Sequence, residues 1–228
     1  MLGITLARGG SKRLPGKNIK KLNGVPLIEY TIKSAKRSKL ITRYMISTDS
    51  PEIAEVAINA GAEVPFLRPG YLAEDHSNPI DACLHVLSEY KSKEGYEPEI
   101  LVLLQPTSPL RTEINIDEAI KLFQYKKADS VLSVCSLEYH TNSIMTMEKQ
   151  GTITPFTQNK IYKECNTDNS IYRLNGAIYI VKTSYLKQNK SFYSTKTFPY
   201  VMSRNQSIDI DTEFDFQMAS LLLRKDHS

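Results

Sequence analysis

Short apolar runs alternate with segments of helical periodicity along the chain before residue 136. Apolar runs closed by polar or turn-forming residues predict strands at 2–7, 43–48, 63–67, 99–104 and 129–135. Apolar residues that recur every three or four positions predict helices at 26–38, 51–60, 79–91 and 112–125. Because strands and helices alternate, the pattern predicts an α/β fold with a doubly wound, mostly parallel sheet and right-handed crossovers.

One predicted strand is more apolar than the others, which indicates its place in the sheet. The segment 99–104 carries almost only Leu, Ile and Val, so we expect it at the sheet centre, buried on both faces. A further strand at 175–181 and a final helix at 212–223 follow later, with Thr212 at or near the N-cap of that helix. Together these elements predict a single domain over residues 1–228.

The alternation of strand and helix breaks after Cys135. Residues 139–172 are rich in Thr, Asn, Lys and Gln, with short apolar islands such as Ile144 and Met145. This composition predicts a hairpin-like excursion from the sheet. The excursion is either an arm that binds a partner or a mobile loop, and the sequence leaves both interpretations open.

Composition and charge narrow the class of protein. The chain has 228 residues, and its hydrophobic content of 41% suits one α/β domain with an appendage. The net charge of +4 is mild, and its concentration in one loop favours a small anionic ligand over nucleic acid. Three cysteines without metal-type spacing (Cys83, Cys135 and Cys165) indicate a reducing compartment. Since the sequence shows no membrane-spanning run and no signal-peptide plan, we expect a cytoplasmic protein without membrane contact.

The first predicted strand runs into a loop at 8–18 that combines cations with small residues. Its cations are Arg8, Lys12, Arg13 and Lys17, and its small residues are Gly9, Gly10, Gly16 and Ser11. Glycine lets backbone N–H groups approach a ligand closely, and Lys and Arg neutralise phosphate charge, so this loop predicts triphosphate binding. The loop matches neither the Walker pattern nor the dinucleotide fingerprint. The alternative interpretation is a solvated basic turn.

Polar residues also follow other predicted strands, at the edge where open parallel sheets bind ligands. These residues are the segments 47–49 and 105–111, and Asn175. The amides of Asn18 and Gln105 each offer a donor and an acceptor, which suits the edge of a base. The alternative for the loop after Gln105, which contains two prolines, is a structural turn. Arg68 either reaches the nucleotide or pairs with Glu63 or Glu74 at the surface.

Two carboxylates near the end of the chain form the second strong signal. Asp209 and Asp211 alternate with Ile208 and Ile210, so on an extended segment both carboxylates share one face. Paired carboxylates repel each other, and a hard cation such as Mg²⁺ relieves the repulsion while binding substrate phosphates. In the alternative interpretation, one aspartate caps the following helix, although Thr212 could supply that cap.

Taken together, these segments resemble the acylneuraminate cytidylyltransferases, which make CMP-sialic acids. The similarity covers nearly the whole chain. The matching motifs, in order, are LARGGSKRLPGKN at 6–18, STD at 47–49, LLQPTSPLRT at 103–112, NGAIYI at 175–180 and SIDIDTE at 207–213. Several long motifs in the right order are far more specific than any one of them. The resemblance implies a Rossmann-like nucleotidyltransferase fold, CTP and a nine-carbon 2-keto sugar acid as substrates, and pyrophosphate as a product.

The resemblance also implies roles for individual residues. Arg8, Ser11, Lys12 and Lys17 would hold the triphosphate. The residues implied for the cytidine pocket are Ala7, Asn18, Arg68 and Gln105. Gln105 and Asn175 would lie close to the sugar, and Asp209 and Asp211 would bind Mg²⁺. Arg8, Lys17 and Asp211 are thereby the candidate catalytic residues.

The resemblance further implies a homodimer in which the excursion at 139–172 reaches the partner's site. Family members often carry an Arg-Gln pair in this arm, whereas this chain has KECNTD at 163–168. That departure leaves the acceptor acid open among N-acetylneuraminate, legionaminate, pseudaminate and their relatives. The alternative functions are a nucleotidyltransferase for another sugar, such as the eight-carbon acid 3-deoxy-octulosonate, and a nucleotide-binding regulator without turnover.

Overall fold

A computed structural model of the protein describes residues 1–137, 143–156 and 171–225. The described strands are β1 (Leu2–Leu6), β2 (Lys21–Leu22), β3 (Val25–Pro26), β4 (Arg43–Ser47), β5 (Ile100–Leu104), β6 (Ser130–Ser136), β7 (Met145–Met147), β8 (Ile153–Pro155), β9 (Tyr172–Lys182) and β10 (Thr197–Val201). The described α-helices are α1 (Leu27–Arg37), α2 (Pro51–Asn59), α3 (Pro79–Glu94), α4 (Glu113–Tyr125), α5 (Thr183–Asn189) and α6 (Glu213–Lys225). Short 3₁₀ turns lie at Lys17–Ile19 and Gly70–Leu72. The predicted α/β fold is confirmed.

Six strands form the main sheet, in the order β10-β6-β9-β5-β1-β4. Strand β1 pairs in parallel with β4 and β5, and β10 pairs in parallel with β6. Only β9 among these strands is antiparallel to its neighbours, β5 and β6. The carboxyl ends of the other five strands therefore share one edge of the sheet with the amino-terminal end of β9.

Most predicted helices form where expected, because their ends carry the right capping residues. Ser50 accepts from the backbone N–H of Ile53 at the start of α2, and Gly61 follows its end with a left-handed φ of 82°. At the start of α4, Thr112 and Asn115 satisfy each other's backbone groups in a capping box. Helix α5 and strand β10 are additional elements that the sequence pattern did not predict.

The strand predicted at 63–67 is wrong. This segment makes one isolated parallel bridge, between Glu63 and Met45 of β4, and then leaves the sheet. Pro65 has no N–H to donate to a ladder, so pairing does not continue beyond the bridge. The chain turns back toward the sheet edge instead, and the N–H of Arg68 donates to the carbonyl of Thr48 at 2.7 Å.

Strand β5 lies at the centre of the sheet and is buried on both faces, as predicted. Val102 and Leu104 pack into a core cluster with the apolar faces of α1 and α4, for example Ile32. Leu101 and Leu103 point the other way, into a second cluster with α3. A third, smaller cluster joins the loop after β1 to the C-terminal segment; its buried members are Leu14, Leu22, Leu27, Ile210, Phe216 and Ala219.

The excursion after β6 is described only in part. Strands β7 and β8 pair as an antiparallel hairpin, with Thr146 opposite Thr154, which confirms the predicted hairpin for this stretch. The KECNTD segment at 163–168 lies outside the described residues, as does Cys165. An arm that reaches a partner, and a single domain over 1–228, both stay predictions. No helix in the described part of the chain has the length and hydropathy needed to cross a membrane.

Candidate active site

A cavity of about 430 Å³ opens at the edge of the sheet where the parallel strands end. Four stretches of chain line it: the loop after β1, the loop after β5, the segment between β4 and α3, and the stretch before α6. The polar side chains in its wall are Arg8, Ser11, Lys17, Asn18, Arg68, Glu74, Asp75, Ser77, Gln105, Thr107, Asp209 and Asp211. Most of the residues predicted for the site therefore share one cavity.

The basic loop and the two aspartates meet directly. The Nζ of Lys17 donates to the carbonyl of Ile210 at 2.6 Å and to Oδ1 of Asp211 at 3.0 Å. Nη1 of Arg13 lies 3.4 Å from Oδ2 of Asp211. Beneath these contacts, Leu14 and Ile210 belong to one buried cluster, which holds the two stretches of chain together. The basic loop is therefore joined to the C-terminal stretch, and triphosphate binding by this loop stays a prediction.

Neither cavity aspartate caps α6. The hydroxyl of Thr212 accepts from the N–H of Asp215, and the carboxylate of Asp215 accepts from the N–H of Thr212 at 2.8 Å and from that of Asp211 at 3.1 Å. Thr212 and Asp215 therefore accept the hydrogen bonds of the backbone N–H groups at the start of the helix, and the cap predicted at Thr212 is confirmed. Asp209 and Asp211 are left for another role.

Asp209 is the more buried carboxylate of the pair. Burial raises the pKa of its carboxyl above the usual range, the hydroxyl of Thr107 opposes that rise, and the charge of Asp211 adds to it. Its Oδ1 is buried and has no hydrogen-bond partner within the described residues. An unpaired carboxylate oxygen beside a second carboxylate fits a hard cation.

The donor set suits Mg²⁺ in particular. Across residues 1–137, 143–156 and 171–225, no group of three or more His, Cys, Asp or Glu is arranged to hold a metal ion. Mg²⁺ is usually bound by one or two carboxylates and keeps water and substrate phosphate oxygens as its other ligands. Asp209 and Asp211 therefore fit the ion, and magnesium binding stays a prediction.

The predicted nucleotide residues divide into those in the cavity wall and those behind it. Asn18 is buried, its Nδ2 donates to the carbonyl of Arg8 at 3.0 Å, and its Oδ1 lacks a partner in the described chain. Ala7 is buried in the core behind the wall, and its N–H donates to the carbonyl of Ser47. Lys12 lies at the rim with its side chain 82% exposed.

Arg68 lies inside the cavity wall rather than at the surface. Its guanidinium is almost fully buried, and burial lowers its pKa. Nη2 of Arg68 lies 3.7 Å from Oδ1 of Asp49, which also accepts from the N–H of Gly9 at 3.0 Å. The surface alternative, a pair with Glu63 or Glu74, is wrong, and Asp49 links Arg68 to the glycines of the basic loop.

Gln105 lines the cavity, but Asn175 does not. Asn175 lies in β9 and is buried, where its Oδ1 accepts from Ser133 at 2.6 Å and its Nδ2 donates to Ser207 at 2.9 Å. The amide of Asn175 thus joins β6, β9 and the stretch before Asp209 beneath the site. The prediction of sugar contact by Asn175 stays untested, and the contacts observed are structural.

Comparison with known proteins assigns the chain to a family. The family model described as Cytidylyltransferase matches residues 2–227. This chain belongs to the cytidylyltransferase family. A CMP-N,N'-diacetyllegionaminic acid synthase of Legionella pneumophila is 39% identical, with 98% of this chain and 96% of the relative covered. An N-acylneuraminate cytidylyltransferase of Escherichia coli is 33% identical over 99% of this chain, which spans only 52% of that relative.

A solved structure supports the fold of this cytidylyltransferase. A CMP:2-keto-3-deoxy-manno-octonic acid synthetase, solved in complex with CTP, covers 99% of this chain at a TM-score of 0.73. The chain in turn covers 98% of that structure. The identity is 13%, so this similarity concerns the fold alone.

The cytidylyltransferase site contains one carboxylate that the sequence analysis missed. Oδ1 of Asp75 lies 2.9 Å from Nη2 of Arg8, and its other oxygen contacts Nζ of Lys12. The hydrogen bond from Lys12 and the charges of both cations hold the pKa of Asp75 below its usual range. The Asp75 carboxylate is thus paired with two of the cations that are predicted to bind phosphate. The signal available in the sequence was an acidic residue in the loop between Arg68 and α3.

We expect Asp75→Asn to bind CTP about threefold more tightly, because its ion pairs with Arg8 and Lys12 no longer have to break before these cations contact phosphate. The expected gain is small because exposed ion pairs are individually weak. Titration calorimetry at two salt concentrations measures the effect, which should shrink at the higher one. The control Glu89→Gln removes the same charge from the outer face of α3, where Glu89 pairs with Lys93, and should leave the Kd unchanged. Weaker CTP binding by Asp75→Asn would contradict the prediction.

Proposed function

We propose that this cytidylyltransferase joins CTP to a nine-carbon 2-keto sugar acid of the sialic type and releases pyrophosphate. The observation that carries the proposal is the contact between the basic loop and the acidic pair, through Lys17 and Asp211, at one cavity. The family and the names of the relatives support the same reaction class. The departure from the family pattern at 163–168 leaves the identity of the acid to experiment.

In the proposed reaction, the anomeric 2-hydroxyl of the sugar attacks the α-phosphorus of CTP in line. The new bond joins this oxygen to phosphorus, the bond from phosphorus to the bridging oxygen breaks, and pyrophosphate leaves with the electron pair. The hydroxyl proton passes to solvent. Charge spreads over the phosphate oxygens, so positioning and electrostatic stabilisation dominate catalysis.

The basic loop supplies that stabilisation in the proposal. Arg8, Ser11, Lys12 and Lys17 face or border the cavity and would bind the triphosphate oxygens. The side chain of Lys17 is only 13% exposed, and its ammonium is already held by two oxygens of the C-terminal stretch. A cation restrained in this way loses little freedom when the transition state forms, which is the condition for strong electrostatic catalysis.

Two carboxylates would hold the metal ion. Asp209 and Asp211 are the proposed ligands, and bound Mg²⁺ supplies Lewis-acid stabilisation of phosphate charge. Asn18, Arg68 and Gln105 would bind the cytidine, with Gln105 also close to the sugar. Ala7 would contribute to this pocket only through its backbone, since its side chain lies in the core.

The assembly and compartment of the enzyme are also proposed. We infer a homodimer in which the excursion after β6 contacts the partner, as the family resemblance implies. Cys83 and Cys135 are buried and carry free thiols, which fits a reducing compartment, so we propose that the enzyme works in the cytoplasm.

An acid panel with CTP and Mg²⁺ tests the proposed function. Pyrophosphate release, read as phosphate after pyrophosphatase, should occur with at least one of N-acetylneuraminate, legionaminate and pseudaminate, and chelation by EDTA should abolish it. Turnover only with 3-deoxy-octulosonate, or with UTP and a hexose phosphate, would assign a different substrate. CTP binding without pyrophosphate release from any acid would identify a regulator instead.

A further inference from the structure

A buried guanidinium lies directly behind the cavity wall. Arg111 is 2% exposed and is the largest fully buried side chain among the described residues. Burial lowers its pKa to about 10, so the group stays charged at neutral pH. Its hydrogen bonds within the described chain go to neutral oxygens, with no carboxylate among the acceptors. Burying a cation without a counter-charge lowers the stability of the folded protein, so we ask which groups the Arg111 guanidinium holds in place.

The acceptors of Arg111 belong to three different elements. Nη1 donates to the carbonyl of Gln105, at the exit from β5, at 3.0 Å, and to the carbonyl of Ala177 in β9 at 2.9 Å. Nη2 donates to the hydroxyl of Thr31 in α1 at 2.6 Å. That hydroxyl in turn donates to the same Gln105 carbonyl at 3.3 Å. The backbone of Gln105 is therefore fixed from two sides, and the planar guanidinium sets the angle between its contacts.

Fixing this backbone matters because the Gln105 side chain has little room. Gly176, next to Ala177, has a left-handed φ of 74°, which an L side chain rarely adopts. A Cβ on Gly176 would lie 2.6 Å from Oε1 of Gln105 and 3.3 Å from Oδ2 of Asp209. The amide of Gln105 thus packs against bare backbone beside a candidate metal ligand. A small shift between β5 and β9 would change where this amide points.

We propose that Arg111 is a positioning residue that holds the Gln105 amide in its orientation in the cavity, although Arg111 itself does not line the cavity. It acts by tying the Gln105 carbonyl to β9 at Ala177 and to α1 at Thr31. The effect on CTP binding rests on the proposed function, whereas the effect on Gln105 itself does not.

The first test reads Gln105 without any ligand. In ¹⁵N-labelled protein, the side-chain amide signal of Gln105 is assigned by its loss in Gln105→Ala. We expect this signal to shift or broaden in Arg111→Lys, because an ammonium cannot reproduce the fork of contacts. Thr31→Val removes only the Thr31 contacts, and should shift the signal less. An unchanged signal in a folded Arg111→Lys protein overturns the proposal. If Arg111→Lys does not fold, an unchanged signal in Thr31→Val overturns it instead.

A matched control separates positioning from general stability. The hydroxyl of Thr183 is buried and donates to the carbonyls of Pro98 and Glu99, next to the start of β5 and away from the cavity. Thr183→Val should lower the melting temperature and leave the Gln105 signal unchanged. A shift of that signal in Thr183→Val as large as in Arg111→Lys would also contradict the proposal.

The second test is a double-mutant cycle on the Kd for CTP with Mg²⁺, measured by calorimetry at a temperature where all variants are folded. Arg111→Lys should raise the Kd about tenfold in the wild-type background, the scale for a lost hydrogen bond to a charged group. In the Gln105→Ala background it should raise the Kd less than about twofold, because the two changes act through one contact. Equal rises in both backgrounds would show that Arg111 does not act through Gln105. A wild-type protein that binds no CTP would contradict the proposed function and leave the NMR test to decide Arg111.

Discussion

Asp211→Asn should lower turnover by about a hundredfold or more, with the overall fold unchanged. Asparagine keeps the shape of the side chain but loses the charge that holds Lys17 at 3.0 Å and that is proposed to bind Mg²⁺. Loss of one strong transition-state contact costs about two to three orders of magnitude in kcat. The measurement is pyrophosphate release at saturating CTP across a range of Mg²⁺ concentrations, where higher Mg²⁺ should recover part of the activity.

A neighbouring carboxylate gives the control for this variant. Glu213, two residues further along, pairs with Lys20 at 2.5 Å and is not part of the cavity wall. Glu213→Gln removes the same charge and should keep turnover within about twofold, because exposed pairs contribute little. Near-normal, Mg²⁺-dependent turnover in Asp211→Asn would refute the assignment of Asp211 to the metal.

Lys17→Met should lower kcat by about two to three orders of magnitude, the range for a preorganised charged donor. Methionine has a similar length and apolar character, so it retains the packing of the lysine stem while removing the ammonium. The ammonium is restrained by Ile210 and Asp211, and no methionine atom can replace its contact with a phosphate oxygen. Steady-state kinetics should show the main loss in kcat and a smaller change in the KM for CTP.

Lys20→Met is the matched change outside the cavity. Its ammonium pairs with Glu213 and lies 4.7 Å from the ring centroid of Phe216, and none of these three residues lines the cavity. Turnover in this variant should stay close to that of the wild type. If Lys17→Met and Lys20→Met had equal activity, the cation at position 17 would have no role in the chemistry.

The sequence was sufficient to predict most of the fold because the elements carry their own local signals. Strand β5 is a continuous apolar run, and α2 begins with a Ser-Pro pair and is closed by Gly61. The segment 63–67 has the apolar pattern of a strand as well. Its failure to form one depends on Pro65 and on its position at the sheet edge, neither of which periodicity measures.

The candidate site was predicted in its residue types but not in all of its contacts. The meeting of the basic loop with the acidic pair depends on a buried cluster that contains both Leu14 and Ile210, residues far apart in the chain. Asp75 was missed because a lone Asp in a loop has no distinguishing pattern, whereas Asp49 was included in the segment 47–49 without its contacts. Asn175 was placed by its motif near a strand end, but the direction of β9, and so the burial of its amide, required the structure.

The antiparallel strand has a consequence for how this enzyme can diversify. Ser136 pairs with Tyr172, so the excursion departs from and rejoins the sheet at adjacent rungs, on the same rim as the cavity. Because the two ends of the excursion are adjacent in the sheet, a change in its length alters mainly the entropy cost of closing this loop, which grows slowly with length. Insertions and deletions there can therefore change the excursion while the paired strands of the main sheet keep their register.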